Sequence, residues 1–300
     1  RLLDRLYETK LLNDVVVATT SNKEDDTLAE WLLSSNTKFF RGSEEDVLDR
    51  YCQCALQFNA DIIVRITADD PLKDPEVINH AIELYLKNPS VDYVSNTIIP
   101  TYPEGIDVEV FSFNALQKAH SLATKKSDRE HVTPYIINSD SFSKFYLKNP
   151  EDLSRERWTV DEPEDFVVVK GIFQAFYPKL HFSWREVIEL QYTCPSVFLH
   201  NKHLIRNEGS ILNTGQKLWT RAKRVIPGGN MLLSKRSEMF LPNQWPSYFQ
   251  RAKGCKVWDL DGREYTDMSI MGVGTNILGY GHDEVDEAVL NNVKNGNLST

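Results

Sequence analysis

The stretch from Asp61 to Asp74, DIIVRITADDPLKD, constrains the fold most. It starts with a short apolar run, Ile62, Ile63, Val64 and Ile66, interrupted by Arg65, the pattern of a strand buried in a parallel sheet. It ends in Thr67-Ala68-Asp69-Asp70-Pro71. A strand that stops in two carboxylates places them at the carboxyl edge of the sheet, where open α/β folds bind ligands. Asp74 then stands as N-cap of a helix with Pro75 at its first position. Taken alone, the stretch also admits a plain reading, in which Asp69 and Asp70 only end the strand and Asp74 only caps the helix.

The pattern around it repeats strand and helix in turn. Leu2, Leu3, Leu6, Tyr7, Leu11 and Leu12 share one helical face, and residues 14–20 read as a buried strand. Residues 22–33 predict a helix with an acidic first turn, 38–41 a strand, 46–58 a helix, 77–86 a helix and 92–94 a strand. This alternation predicts a doubly wound, mostly parallel sheet flanked by helices. Further on, 105–111 alternates apolar and acidic residues as a half-exposed strand does, 113–122 and 129–137 are helical, and 142–147 and 157–161 read as strands. Helices follow over 166–176 and from Ser183.

From about Cys194 to Gly215 the periodicity weakens and turn residues gather. The expected division is a first domain over 1–206, a linker over 207–215 and a smaller α+β segment over 216–300. That segment shows a helix over 216–225, short strands near 248–251, 256–259 and 264–267, a hairpin turn at Asp261-Gly262 and a closing helix over 283–293. Arg1 opens in a helical pattern and no closing element ends the chain, so an internal piece of a longer protein is expected.

Charge and composition narrow the partners. A net charge of -9, from 34 basic and 43 acidic residues without a dense Lys/Arg block, speaks against nucleic acid. No apolar run reaches membrane-spanning length and no signal-peptide pattern opens the chain, so a cytoplasmic protein is expected. Four cysteines in 300 residues make no disulfide framework.

Asp161 ends a second apolar-aromatic run, Arg157 to Val160. Two carboxylates from separate strands, Asp69 and Asp161, can share one hard cation and leave its other positions to phosphate oxygens and water. Asp161 is equally readable as part of an ordinary helix start, with Pro163 at N1. Arg41-Gly42-Ser43 follows a strand and could contact a base or phosphate, or be a surface turn. Arg129 at a helix start and Glu109 on an alternating strand could meet a polyhydroxylated acid or face solvent.

Seven stretches in order then carry a resemblance: VVVATTSNKEDD (15–26), FRGSEEDVLDRY (40–51), RITADDPLKDPEVI (65–78), PEGIDVEVF (103–111), DREHVTPYI (128–136), RWTVDEPEDF (157–166) and FSWREV (182–187). Residues 1 to about 210 resemble the cytidylyltransferases that activate sugar acids, in the branch of spore-coat polysaccharide biosynthesis protein F. The resemblance implies a glycosyltransferase-A-like nucleotidyltransferase sheet and transfer of CMP from CTP to a sugar acid. It implies Mg2+ on Asp69 and Asp161, nucleotide contacts from Arg41, Gly42 and Ser43, and a sugar side near Glu109 and Arg129. The family's G-S-x-R-x-P-x-K phosphate loop has no counterpart in these residues, so no catalytic side chain is assigned and the chain as it stands is expected to be inactive. Asp70 departs from the Cys or Glu of many relatives.

Residues 216–300 resemble the start of class III pyridoxal-phosphate aminotransferases, near glutamate-1-semialdehyde 2,1-aminomutase. The matching stretches are LWTRAKRVIPGG (218–229), RAKGCKVWDLDGREYTDM (251–268) and GTNILGYGHDEV (274–285). This implies a piece of a fold-type I enzyme, pyridoxal 5'-phosphate in the intact protein and a homodimer. Its cofactor lysine is not among these residues: Lys253 and Lys256 flank a hairpin. Arg236 is the nearest candidate for a substrate-carboxylate arginine, and Gly272, Gly274, Thr275 and Asn276 for an entrance. Two other readings of the first domain stand: a glycosyltransferase using a nucleotide sugar, and a nucleotide-binding module without catalysis.

Overall fold

The computed structural model describes residues 1–204, 214–230, 232–241, 245–269, 272 and 274–296. The chain divides into two compact units, Arg1–Arg206 and Asn207–Thr300. Most of the expected linker, residues 207–213, lies outside the described residues, and its last two positions are helical.

In the first unit the elements run α1 (Leu2–Leu6), β1 (Val16–Thr20), α2 (Asp26–Ser34), β2 (Lys38–Gly42), α3 (Val47–Gln57), β3 (Ile62–Arg65), α4 (Pro75–Lys87) and β4 (Tyr93–Ser95). Then come β5 (Glu109–Ser112), α5 (Phe113–Leu122), α6 (Lys126–His131), α7 (Pro134–Asn138), β6 (Lys144–Tyr146), α8 (Pro163–Phe176) and α9 (Trp184–Thr193). β1 and β2 pair in parallel, and four further strands pair in the order β3-β5-β4-β6.

The opening strand departs from its expected parallel setting, because β3 pairs antiparallel with β5. The cause is local. β4 returns to β5 through a loop without a crossover helix, so β5 must run the other way. Asn96 holds that loop, donating to the Ile106 carbonyl at 3.1 Å and accepting from the Val108 amide at 2.8 Å. β6 lies parallel to β4 because three helices, α5 to α7, carry the chain across.

The period of two along the strands separates two cores. Val94 and Val110, with Val64 partly buried beside them, face α4, α8 and α9. Ile63, Tyr93 and Phe111 face α3, α5 and α7. Each fully buried Val or Phe of this kind contributes roughly 1.5–3 kcal/mol. The α/β architecture expected of the first domain is thus present as a mixed sheet with helices on both faces.

Two further expectations are corrected. Residues 157–161 form no strand: Arg157 makes one isolated bridge to Glu104. Residues 129–137 are not one helix, because the backbone breaks between α6 and α7 at Val132, where φ is +72°.

The second unit contains α10 (Thr214–Val225), an antiparallel meander of β7 (Phe249–Lys253), β8 (Lys256–Asp259) and β9 (Glu264–Thr266), and α11 (Asp283–Lys294). Its hairpin loop has four residues, 260–263, instead of two, because the Asp259 carboxylate accepts from the amides of Asp261 (3.0 Å) and Arg263 (2.8 Å). Trp219 is buried and donates to Glu238 at 2.8 Å. No residue of α11 is buried. Among the described residues, no helix is long and apolar enough to cross a membrane.

Candidate active site

The loop after β3 carries three aspartates, and the structure separates their roles. Asp74 caps α4 through bonds from the Glu76 and Val77 amides, and also accepts from the Trp184 amide at 2.8 Å. Asp70 is buried against Lys73, at 2.7 Å, and accepts from the Thr67 hydroxyl at 2.9 Å. Lys73 also donates to the Asp107 carbonyl. Burial works against ionisation of Asp70, but Lys73 and Thr67 outweigh it and hold its carboxyl below the usual range. Asp69 alone is exposed, and among the described residues nothing donates to its carboxylate.

Asp161 reaches the same place by a backbone device. The Trp158 amide donates to the Glu104 carbonyl at 2.8 Å and the Val160 amide to the Asp69 carbonyl at 2.8 Å. The 157–161 segment is thereby stitched between two loops. Gly105 permits this: its φ is +104°, and a Cβ there would stand 2.6 Å from the Trp158 carbonyl carbon. Asp161 is then oriented by Arg157, at 2.9 Å, which also binds Asp165 with two nitrogens (2.9 and 2.8 Å) and Glu104 (2.8 Å). Burial pushes the Asp161 carboxyl up, Arg157 pulls it down, and the nearby Asp69 charge adds to the upward side.

The structure therefore brings Asp69 and Asp161 together as neighbouring negative charges, one of them exposed and one half-exposed. No group of three or more His, Cys, Asp or Glu side chains suited to a metal occurs among the described residues. Such a pair fits a hard cation that takes its remaining oxygens from phosphate and water. A cleft of about 690 Å³ adjoins it, lined by Ala68, Asp69, Pro71, Val160, Phe166 and Phe173 among others.

The remaining expected positions lie elsewhere on unit 1. The Arg41 guanidinium braces the β1–α2 loop, donating to the Thr20 carbonyl (2.8 Å), the Asn22 carbonyl (2.6 Å) and Asp26 (2.7 Å). Gly42 has no room for a side chain: a Cβ there would stand 2.9 Å from both the Arg50 and the Phe40 side chains. Ser43 accepts from the Asp46 amide at 3.0 Å and starts the turn into α3. Arg129 ties Asp46, at 2.7 Å, to the carbonyls of His120 and Ala123. Glu109 is buried at the last rung of the sheet, opposite Arg65, and ion-paired to it. Glu109 also accepts from the hydroxyls of Tyr93 (2.5 Å) and Thr133 (2.6 Å).

The backbone beside Thr133 is strained. Val132, a buried β-branched residue, has φ +72° and ψ -58°, and the Thr133 amide donates to the His131 carbonyl at 2.9 Å. That is the unfavourable hand of the γ-turn. Such a residue costs about 1–3 kcal/mol and persists only where its surroundings impose it. Thr133 adds to this by taking a helical conformation directly before Pro134.

Arg65, Arg157, Tyr93 and Thr133 were absent from the sequence-based set. A signal existed for Arg65, a charge inside an apolar strand run. The other three depend on side chains meeting across the fold.

The loop after β1 holds Asp25 against Thr19 and Thr20. Hydrogen bonds from the Thr19 hydroxyl, the Thr20 hydroxyl and the Thr20 amide lower the Asp25 carboxyl to about 2. A lowered acid stabilises the fold above its unfolded pKa, about 3.9, and the contribution is lost as pH falls through about 2. Between those pH values the wild-type denaturation midpoint is expected to fall more steeply than that of Asp25→Asn. Parallel curves would remove this role.

The first unit is thus a mixed α/β sheet with two neighbouring acidic side chains, Asp69 and Asp161, on the segments beside it. The chain belongs to the cytidylyltransferase family, whose sequence profile matches residues 1–204. It is 44% identical over 191 residues to protein MJ1063 of Methanocaldococcus jannaschii, covering 63% of this chain and 76% of that protein. Spore coat polysaccharide biosynthesis protein SpsF of Bacillus subtilis is 31% identical over 194 residues, covering 63% of this chain and 79% of the relative. A solved cytidylyltransferase from Leptospira borgpetersenii shares the fold with a TM-score of 0.63 at 33% identity, over 66% of this chain and 83% of that one. The second unit is similar to aminotransferases: 3-aminobutyryl-CoA aminotransferase of Cloacimonas acidaminovorans is 39% identical over 84 residues, 28% of this chain. The chain spans only 20% of that protein's length.

Proposed function

We propose that the first unit transfers CMP from CTP to a hydroxyl of a sugar acid, with magnesium held by Asp69 and Asp161. The juxtaposition of those two carboxylates at the ligand-binding edge carries this reading. The acceptor oxygen forms a bond to the α-phosphorus, the bond to the β-phosphate breaks, pyrophosphate leaves and the hydroxyl proton passes to solvent. When bound, the cation offsets charge on the transferring phosphoryl group and orients it. Asp69 and Asp161 would supply its protein oxygens, and Arg157 holds the Asp161 carboxylate at 2.9 Å. On this reading Arg41, Gly42 and Ser43 serve the nucleotide pocket by shaping the loops around it, and Glu109 and Arg129 the sugar side.

We further propose that the intact protein is bifunctional, cytoplasmic and homodimeric, with a pyridoxal-phosphate aminotransferase as its second part. Among the described residues of the second unit, Lys253 and Lys256 do not fit the cofactor. Lys253 is tied to Asp283 and the Gly281 carbonyl, and Lys256 to Glu264, all at the surface.

The test is pyrophosphate release by the intact protein from CTP, Mg2+ and a panel of sugar acids. Release that depends on both CTP and one acid is expected. Transfer from a nucleotide sugar with no release from CTP would replace this reading with that of a glycosyltransferase.

A further inference from the structure

Two features of the first unit have no part in the chemistry of the acidic pair: the strained turn at Val132 and the buried cluster around Glu109. They belong together. Arg65 and Glu109 stand opposite each other in register, so their side chains share the sheet face that holds Ile63, Tyr93 and Phe111. They form its last rung at the end of β3, four residues before Asp69.

Glu109 is fully provided for. Tyr93 and Thr133 donate to one carboxylate oxygen and Arg65 to the other. Burial disfavours its charge, but Arg65 and the two hydroxyls keep its carboxyl below the ordinary range. Three donors on a buried acid are far more than sheet cohesion needs, since apolar side chains would stabilise the same rung at least as well. What the arrangement does achieve is a guanidinium fixed in one orientation.

Arg65 is the unfinished member. It spends Nη1 on Glu109, while Nε is buried without an acceptor and Nη2 has none among the described residues. Nε and Nη2 form one edge of the guanidinium, with parallel N–H bonds that match the two oxygens of an acid group. The chain uses that same edge elsewhere: Nε and Nη2 of Arg157 grip the two oxygens of Asp165 at 2.9 and 2.8 Å. The Tyr51 ring lies 6.0 Å from the Arg65 guanidinium carbon and limits how the fork can swing.

We propose that the free Nε–Nη2 edge of Arg65, oriented by Glu109 and Thr133, is an oxyanion-binding subsite of the first unit. It takes a two-oxygen acid group, either the carboxylate of the acceptor or a phosphate of the nucleotide. This rests on the reading of the unit as a nucleotidyltransferase for acids. The strain at Val132 is then explained, because the turn delivers the Thr133 hydroxyl to Glu109 and so fixes the fork.

The test uses the intact protein in EDTA, which removes any route through a metal, and titration calorimetry with three probes. These are inorganic pyrophosphate, the sugar-acid panel, and the primary amides of the same acids. Arg65→Lys keeps a charge for Glu109 but loses the fork, and its circular dichroism and melting curve check that it folds. It is expected to bind pyrophosphate or the acids at least about tenfold more weakly than wild type while binding the amides equally. Loss confined to pyrophosphate assigns the subsite to the nucleotide, and loss confined to the acids assigns it to the acceptor. Unchanged affinity of folded Arg65→Lys for both, or no binding of either by wild type, overturns the proposal. Failure of wild type to bind CTP with Mg2+ would instead sink the nucleotidyl-transfer reading and leave the EDTA result to stand by itself.

Discussion

Asp69→Asn is expected to lower CTP-dependent pyrophosphate release by the intact protein at least about a hundredfold without changing its stability. The two halves of that expectation have separate causes. Stability is spared because the Asp69 carboxylate is exposed and no described group donates to it. Asparagine has the same shape, and the backbone carbonyl that accepts from Val160 is untouched. Activity falls because charge stabilisation by a bound cation is worth several kcal/mol, and each 1.36 kcal/mol is a factor of ten. Asp161 alone, already engaged by Arg157, would have to hold the ion. Steady-state rates at saturating Mg2+, with CTP affinity measured with and without the metal, check this. Equal Mg-CTP affinity in the variant and wild type would count against Asp69 as a ligand.

Asp165→Ala is expected to have the largest effect on stability, a loss of about 3–5 kcal/mol. The Asp165 side chain is 0% exposed and Arg157 only 8%. Asp165 binds two guanidinium nitrogens, accepts from Asn201 at 2.9 Å, and accepts from the Glu162 amide at 3.0 Å where α8 begins. Alanine leaves a buried cation short of its main partner and exposes the start of the helix. Burial raises the Asp165 carboxyl, yet Arg157 and Asn201 hold it below the usual range, so the acid is ionised where it is needed. Urea unfolding followed by tryptophan fluorescence reads the change, since Trp158 is buried next to Arg157. A shift below about 1 kcal/mol would show that Glu104 and Asp161 suffice for Arg157. Whatever protein remains folded is also expected to bind Mg2+ more weakly, because Arg157 orients Asp161.

These two variants separate an exposed acid from a buried, ion-paired one. In DIIVRITADDPLKD the three carboxylates that follow the strand, Asp69, Asp70 and Asp74, look alike in one dimension. The cap at Asp74 was legible, because Pro75 follows it and helix starts have local chemistry. The buried pair of Asp70 and Lys73 was not, since a burial of 4% and 1% depends on the loop folding under the 104–107 segment. Arg129 and Arg41 show the same limit. Each lies in a motif legible in the sequence, but its hydrogen bonds are set by carbonyls and carboxylates 6 to 83 positions away.

By itself the sequence determined the alternation of strands and helices, the two-part division of periodicity and the strand whose following loop carries Asp69, because periodicity, caps and turns are local properties. Only the tertiary structure decided that β5 enters the sheet antiparallel, that Asp161 meets Asp69 without a strand of its own, and that Arg65 is held by Glu109 with one edge free. Those outcomes depend on the register of β5 against β3 and β4, on the Val160–Asp69 backbone bond 91 positions apart and on the Arg65–Glu109 ion pair 44 positions apart, which periodicity along the chain does not encode.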